Sequence, residues 1–192
     1  VQALGRAQLD VTDAEATRLA IVASRPRAVV NCAAYTDVDG AESDWQAAEA
    51  VNATGAGNVA AAAAEIGALI VHISTDYVFD GSKREPWLES DPVAPLGVYG
   101  ETKLAGEQAV AEANPIHAIV RTAWLFGRHG RNFVATMLRL AEERDTLSVV
   151  DDQVGCPTFT GHLARALVEI AERRVGGIRH VAGTGSCSWH DL

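Results

Sequence analysis

A chain of 192 residues, 48% hydrophobic and 21% charged, has the balance of a soluble globular protein and can bury a sizeable core without disulfide or metal staples. Its formal charge of −9 comes with no basic run, which argues against nucleic acid as a partner, because neutralising phosphates takes clustered Lys or Arg. Three widely spaced cysteines, Cys32, Cys156 and Cys187, form no Cys-x-x-Cys pair, so they indicate neither a disulfide framework nor a zinc cluster and fit a reducing cytoplasm.

In chain order, a helix opens near Asp13 and stops at Arg25-Pro26, and the strand Ala28 to Cys32 follows. An alanine-rich helix is predicted from Asp44 to Ile66. Its apolar tract from Val59 to Ala64 ends at Glu65, too short and too weakly hydrophobic to span a membrane. Gly55 and Gly57 lie within this helix and make no dinucleotide fingerprint; they are expected to permit close packing. Next come a strand from Leu69 to Ser74, a loop with Pro86, Pro92 and Pro95, a helix from Val98 to Ala113 and a strand from His117 to Arg121. A helix from Asn132 to Glu143, a strand from Leu147 to Val150, a helix from Gly161 to Arg173 and a strand from Ile178 to Val181 complete the pattern. Continuously apolar strands are buried on both faces, and strands joined through helices run parallel. The predicted fold is therefore α/β, a doubly wound and mostly parallel sheet. Ser188 to Asp191 reads as a helix start, and the chain begins with Val1 rather than methionine, so the sequence is expected to be a fragment.

Ligands of such sheets sit beyond the carboxyl ends of the strands, and three segments there carry chemistry. Tyr99 and Lys103 are four residues apart, on one face of a helix, where a nearby ammonium favours the phenolate and lowers the phenol pKa from about 10. Thr75 and Asp76 follow a buried strand directly; the hydroxyl can donate to a substrate oxygen, or the pair can simply cap a turn. Asn31-Cys32-Ala33-Ala34-Tyr35-Thr36 places small residues after a strand, where backbone can approach a flat ligand.

The order strand, Asn-x-Ala-Ala, long helix with Val51 to Gly55, strand ending Ser74-Thr75-Asp76, then Tyr99-x-x-x-Lys103, resembles the extended short-chain dehydrogenases/reductases. The runs Asp37 to Glu42, Ser74 to Gly81, Val98 to Glu107, Arg121 to Trp124, Asp151 to Thr158 and Trp189 to Asp191 look most like the dTDP-4-dehydrorhamnose reductase family, and this likeness covers essentially the whole chain.

The resemblance implies a Rossmann-like dinucleotide-binding domain over residues 1–150, without its first strand, Gly-rich turn and first helix, and the start of a smaller substrate lobe over residues 151–192. It implies hydride transfer from a nicotinamide cofactor to C4 of a dTDP-4-keto-6-deoxy-L-hexose, a nucleotide sugar. Tyr99 is then the proton donor, Lys103 holds the nicotinamide ribose and depresses the Tyr99 pKa, and Thr75 hydrogen-bonds the substrate. Asp76 and Trp124 contact substrate, with core packing as the plainer role for Trp124. Asp10, Val11, Ala34, Tyr35 and Thr36 border the cofactor. If Val1 to Leu4 closes a strand, Gly5-Arg6 replaces the acid that grips the adenosine ribose, and Arg6 suits a 2′-phosphate, so NADPH is expected over NADH. Some members share a magnesium ion across a dimer through an acid shortly after the Pro-Thr pair; Thr158 to His162 holds no carboxylate here, and no metal site is expected. The cytoplasm is the expected location, and the sequence leaves open whether the protein forms a homodimer. A sugar-nucleotide epimerase or dehydratase, a 4-ketoreductase of an antibiotic-sugar pathway, and a non-catalytic regulatory subunit like that of methionine adenosyltransferase share these motifs. Tyr77 stands where such a dehydratase has a second acid, which favours reduction.

Overall fold

Asp13 starts helix α1 (Ala14–Ser24) by accepting from the Ala16 amide at 2.9 Å, which satisfies one of the N–H groups a helix leaves unpaired at its start. Arg25 ends it in the left-handed region at φ 43°, just ahead of Pro26. The computed structural model describes residues 1–192, and the chain continues through β1 (Ala28–Asn31), α2 (Val38–Ser43) and α3 (Trp45–Glu49). A π-helical stretch, Ala50–Gly55, links α3 to α4 (Ala56–Glu65). Then come β2 (Leu69–Thr75), a tight turn at Asp76–Val78, α5 (Val98–Ala113), β3 (His117–Thr122) and β4 (Leu125–Phe126). The remainder is α6 (Phe133–Glu143), β5 (Val154–Gly155), β6 (Thr158–Phe159), α7 (Thr160–Arg173), β7 (Gly177–His180) and β8 (Cys187–Ser188).

The main sheet has the order β1-β2-β3-β7 and is parallel throughout. Its register aligns Asn31 with His72 and Thr75 with Thr122, so the ends of these strands share one edge. One face packs Ile70 and Ile119 under Ile21 of α1, the alanines of α4 and Val110 of α5. The other packs Leu69, Val71, Ala118 and Val120 under Leu163, Leu167 and Ile170 of α7. Apolar residues on successive positions of β2 and β3 therefore serve opposite layers, which makes the sheet doubly wound and Rossmann-like.

Several details depart from the sequence expectation, among them Ser188 to Asp191, where the short strand β8 and a turn stand in place of a helix start. The segment Leu147 to Val150 forms no strand: the Val150 carbonyl accepts from the His190 amide at 3.1 Å, but no ladder continues from that bond, and Leu147 and Val149 line an open apolar groove of about 300 Å³ with Phe133 and Met137 of α6. Val1 to Leu4 is not a strand either. The helix predicted from Asp44 to Ile66 carries the π-helical insertion, and α2, which precedes it, is an element the periodicity did not reveal. Extra π turns commonly mark functional positions, and this one carries the fully buried Asn52.

Glycines allow α5 to approach its neighbours. A Cβ at Gly106 would run into the Asn52 backbone carbonyl, which cannot swing aside as a side chain could. Gly106→Ala should therefore lower stability by about 1–3 kcal/mol. Gly57→Ala is the control, since its Cβ would meet only Ala109 Cβ at 3.4 Å and the change should be neutral or stabilising. Urea denaturation of both variants measures the contrast; equal midpoints would show that the contact at Gly106 relaxes freely. At Gly55 the added Cβ would lie 2.7 Å from Val11 Cγ2, so the close packing expected there is observed.

Candidate active site

The carboxyl ends of β1 and β2 and the first turns of α5 converge on one region. Thr75, the last residue of β2, is 6% exposed; its hydroxyl donates to Asp76 Oδ1 at 3.1 Å and accepts from the Tyr77 amide at 3.2 Å. It therefore does cap a turn, while remaining close enough to the phenol of Tyr99 to favour its ionisation. Tyr99 is the second residue of α5, half-buried, with the Tyr77 ring edge-on at 5.5 Å. Gly100 fits α5 against the Tyr77 carbonyl.

Burial pushes the Tyr99 phenol up to about 12, the nearby Thr75 hydroxyl opposes this, and the charges of Asp76 and Tyr77 add to the rise. The depression by Lys103 expected from the four-residue spacing does not occur, since Lys103 is not among the groups that shift the phenol. Lys103 is 2% exposed, and its ammonium donates to the Ile73 carbonyl at 2.6 Å, turned down into the sheet. Burial pulls its pKa to about 8, against the favourable charges of Glu107 and Cys32. At neutral pH the site thus holds a protonated phenol and a protonated ammonium. Asp76 is half-buried, and its carboxyl is raised by burial, with the Thr75 hydrogen bond opposing.

Beyond β1, Cys32 is exposed and the loop to Thr36 is clamped by Asn52, which accepts from the Tyr35 amide at 2.8 Å and donates to the Tyr35 carbonyl at 3.2 Å. The same amide group donates to Thr102 of α5 at 3.1 Å, so one buried side chain ties this loop to the helix of Tyr99 and Lys103. Small Ala33 and Ala34, with a buried ammonium nearby, suit the ribose end of a nicotinamide nucleotide. No glycine-rich strand-to-helix turn occurs in the sequence, so the chain offers no matching cradle for the pyrophosphate. Val11 packs at Gly55 and accepts from Asn58 through its carbonyl at 3.0 Å. Asp10 accepts from the Thr12 amide and hydroxyl, which hold its carboxyl below the usual range. Arg6 is exposed and lies 3.9 Å from Asp10; neither makes a polar contact with Tyr99, Lys103 or Thr75.

Trp124 follows β3 in the left-handed region at φ 46°. Its indole stacks on Trp189 at 3.5 Å and lies over Gly155, so one face is already covered by the chain. Both tertiary packing and access to a ligand are compatible with its half-buried state.

Sequence reasoning overlooked a buried polar layer beneath the site. Arg121 of β3 donates to Glu107 of α5 from Nε at 2.9 Å and from Nη2 at 2.7 Å, and the Ser74 hydroxyl donates to the same carboxylate at 2.6 Å. The signal was present: an arginine inside an apolar strand needs a partner, and Glu107 continues the Tyr99, Lys103 face by one more turn. Asn52 gave only its place in an alanine-rich helix. His72 is 1% exposed and bonded through Nδ1 to Asn31 Nδ2 at 3.2 Å, while its Nε2 has no partner.

Burial holds the His72 pKa at about 3, well below the unfolded value of about 6.5. A histidine depressed on folding contributes its full stability above the unfolded pKa and loses it as pH falls. Stability should therefore drop by about 1.4 kcal/mol per pH unit below about 6.5 on account of this group alone. His72→Gln should flatten that part of the profile in urea unfolding; an identical slope would place the acid sensitivity elsewhere.

The family described as RmlD substrate binding domain matches residues 1–192. The chain is 46% identical to dTDP-4-dehydrorhamnose reductase of Sinorhizobium fredii, over 97% of this chain and 65% of that protein. It is 46% identical to dTDP-4-keto-6-deoxy-D-glucose reductase of Streptomyces niveus, over 100% of this chain and 67% of that protein. A crystal structure of dTDP-4-dehydrorhamnose reductase from Bacillus anthracis in complex with NADP superimposes with a TM-score of 0.96 at 44% identity, covering 98% of this chain and 67% of that one. The chain thus spans about two thirds of the length of these relatives.

Proposed function

The chain belongs to the RmlD substrate binding domain family, and from that membership we propose that it acts in the NADPH-dependent reduction of the C4 ketone of dTDP-4-dehydrorhamnose to dTDP-L-rhamnose. The observation that carries this reading is the meeting of Thr75, Asp76 and Tyr99 at the carboxyl edge of a parallel sheet, with Lys103 buried alongside. The bound cofactor supplies the hydride. Tyr99 gives its phenolic proton to the ketone oxygen, so that carbonyl, hydride and proton together become the alcohol. Thr75 orients that oxygen, and Asp76 and the free face of Trp124 hold the sugar. Lys103 keeps its positive charge beneath the nicotinamide ribose, steadied by the Ile73 carbonyl and by Glu107. Asp10, Val11, Ala34, Tyr35 and Thr36 border the cofactor, and Arg6 takes the 2′-phosphate that favours NADPH over NADH.

Residues 1–150 form the dinucleotide-binding domain in this reading, and residues 151–192 begin the substrate lobe. No helix is long and apolar enough to cross a membrane, and we assign the reaction to the cytoplasm. A homodimer is the assembly the family resemblance leads to, which sedimentation of the full-length protein decides. The Streptomyces niveus relative favours one second reading, the same chemistry on a differently configured ketosugar. Consumption of NADPH by the full-length protein with each of the two ketosugars separates them, and no turnover of either would sink both.

A further inference from the structure

Helix α5 begins without a cap of its own. Gly97 stands at its N-cap position and offers no side-chain acceptor, although Tyr99 is only the second residue of the helix. The acceptor arrives from α2, where Glu42 Oε1 takes a hydrogen bond from the Val98 amide at 2.9 Å. The bare glycine is what admits it, since a Cβ at position 97 would lie 2.8 Å from that same oxygen. Glu42 is in turn placed by the local build of α2. Asp37 caps α2 by accepting from the Gly40 amide at 3.0 Å, and Gly40 has no Cβ to crowd that carboxylate. Ala41, beside Glu42, is fully buried and fixes the face the short helix turns inward. The Glu42 carboxylate also sets negative charge against the positive end of a sixteen-residue helix.

We infer that Glu42 is a positioning residue, which caps α5 from a separate helix and thereby fixes where Tyr99 stands at the site; the inference rests on the reading of Tyr99 as the proton donor. The run Asp37 to Glu42 then has one physical purpose, to build a short helix that presents a carboxylate to Val98. One turn further on, Asn52 holds Thr102 independently. Loss of the Glu42 contact is therefore felt at the start of α5, where Tyr99 lies, rather than along its length.

The test uses E42A, E42Q, G97A and the E42A/G97A double variant of the full-length protein. E42A should lower kcat about 5- to 20-fold, with KM for the ketosugar within about twofold, because a misplaced donor impairs the transition state more than binding. E42Q should keep at least about half the activity, since its amide oxygen still accepts from Val98. G97A should reproduce the E42A loss by displacing the carboxylate, and the double variant should be no worse than either single one. An E42A enzyme with wild-type kcat overturns the inference, as does a fall in melting temperature alone, or losses that multiply in the double variant. If wild type itself reduces no ketosugar, the proposed function fails by that result. Glu42 is then judged by hydrogen exchange at the Val98 amide and by the Tyr99 ring NMR signal. Both should change in E42A and return in E42Q; if neither moves, the inference falls as well.

Discussion

Tyr99→Phe should reduce kcat by about 10²- to 10⁴-fold, the range expected when a positioned general acid is removed. The substitution keeps the ring, its half-buried setting and the edge contact with Tyr77, so the fold has no reason to respond. Only the hydroxyl that Thr75 faces is lost. With the phenol raised to about 12, Tyr99 carries its proton throughout the neutral range, which is the state a reductase needs at the moment hydride arrives. The measurement is the rate of NADPH consumption with ketosugar at saturation, together with cofactor affinity. Affinity should change by less than about twofold, since the lost group acts on the reacting oxygen and not on the nucleotide. A variant that retains more than about a third of wild-type kcat would remove Tyr99 from the role of donor.

Glu107→Gln should cost about 3–5 kcal/mol of folding stability, which is a large share of the roughly 5–15 kcal/mol that a domain has. Glu107 and Arg121 are each 4% exposed at the side chain and meet through two short hydrogen bonds. Neutralising the carboxylate leaves a guanidinium inside the protein with the Phe79 ring, 5.1 Å away, as its main remaining compensation. Arg121 already has one nitrogen, Nη1, without a partner, so the site has no spare acceptor to offer. Replacing both residues by methionine should recover much of the loss, because two apolar side chains need no pairing. Glu15→Ala provides the surface comparison. Its partner Arg18 is well exposed, so water screens the pair and its loss should barely register. Chemical denaturation of the four proteins tests the ranking; a loss below about 1 kcal/mol for Glu107→Gln would mean that water reaches the pair. The same variant should also lower the Lys103 pKa further, since the Glu107 charge supports the ammonium.

The layered architecture and the longer helices were legible in the residue pattern. Helix α5 runs from Val98 to Ala113 as the pattern predicts, and the apolar runs of β2 and β3 could be stable only between two helical layers. The sequence also determined which edge of the sheet to search, because parallel strands point their carboxyl ends the same way and the chain that follows Asn31 and Thr75 leaves the sheet on that side. The family resemblance carried by the Tyr99, Lys103 and Thr75 motifs rests on local spacing that survives without coordinates.

Tertiary structure alone decided where buried charges go and how the site is electrically tuned. Spacing of four promised an ammonium beside the phenol, yet Lys103 donates to the Ile73 carbonyl, and burial sets the Tyr99 pKa. Leu147 to Val150 alternates like a strand but takes no more than the bond from the His190 amide to the Val150 carbonyl, because a ladder is a property of two neighbouring backbones and a sequence window contains only one. The Asn52 clamp, the Arg121–Glu107 pair and the Glu42 cap join residues 14 to 56 positions apart. Pattern reading works over a few turns of helix or one strand; contacts across such separations exist only once the core has packed and fixed the distance between elements.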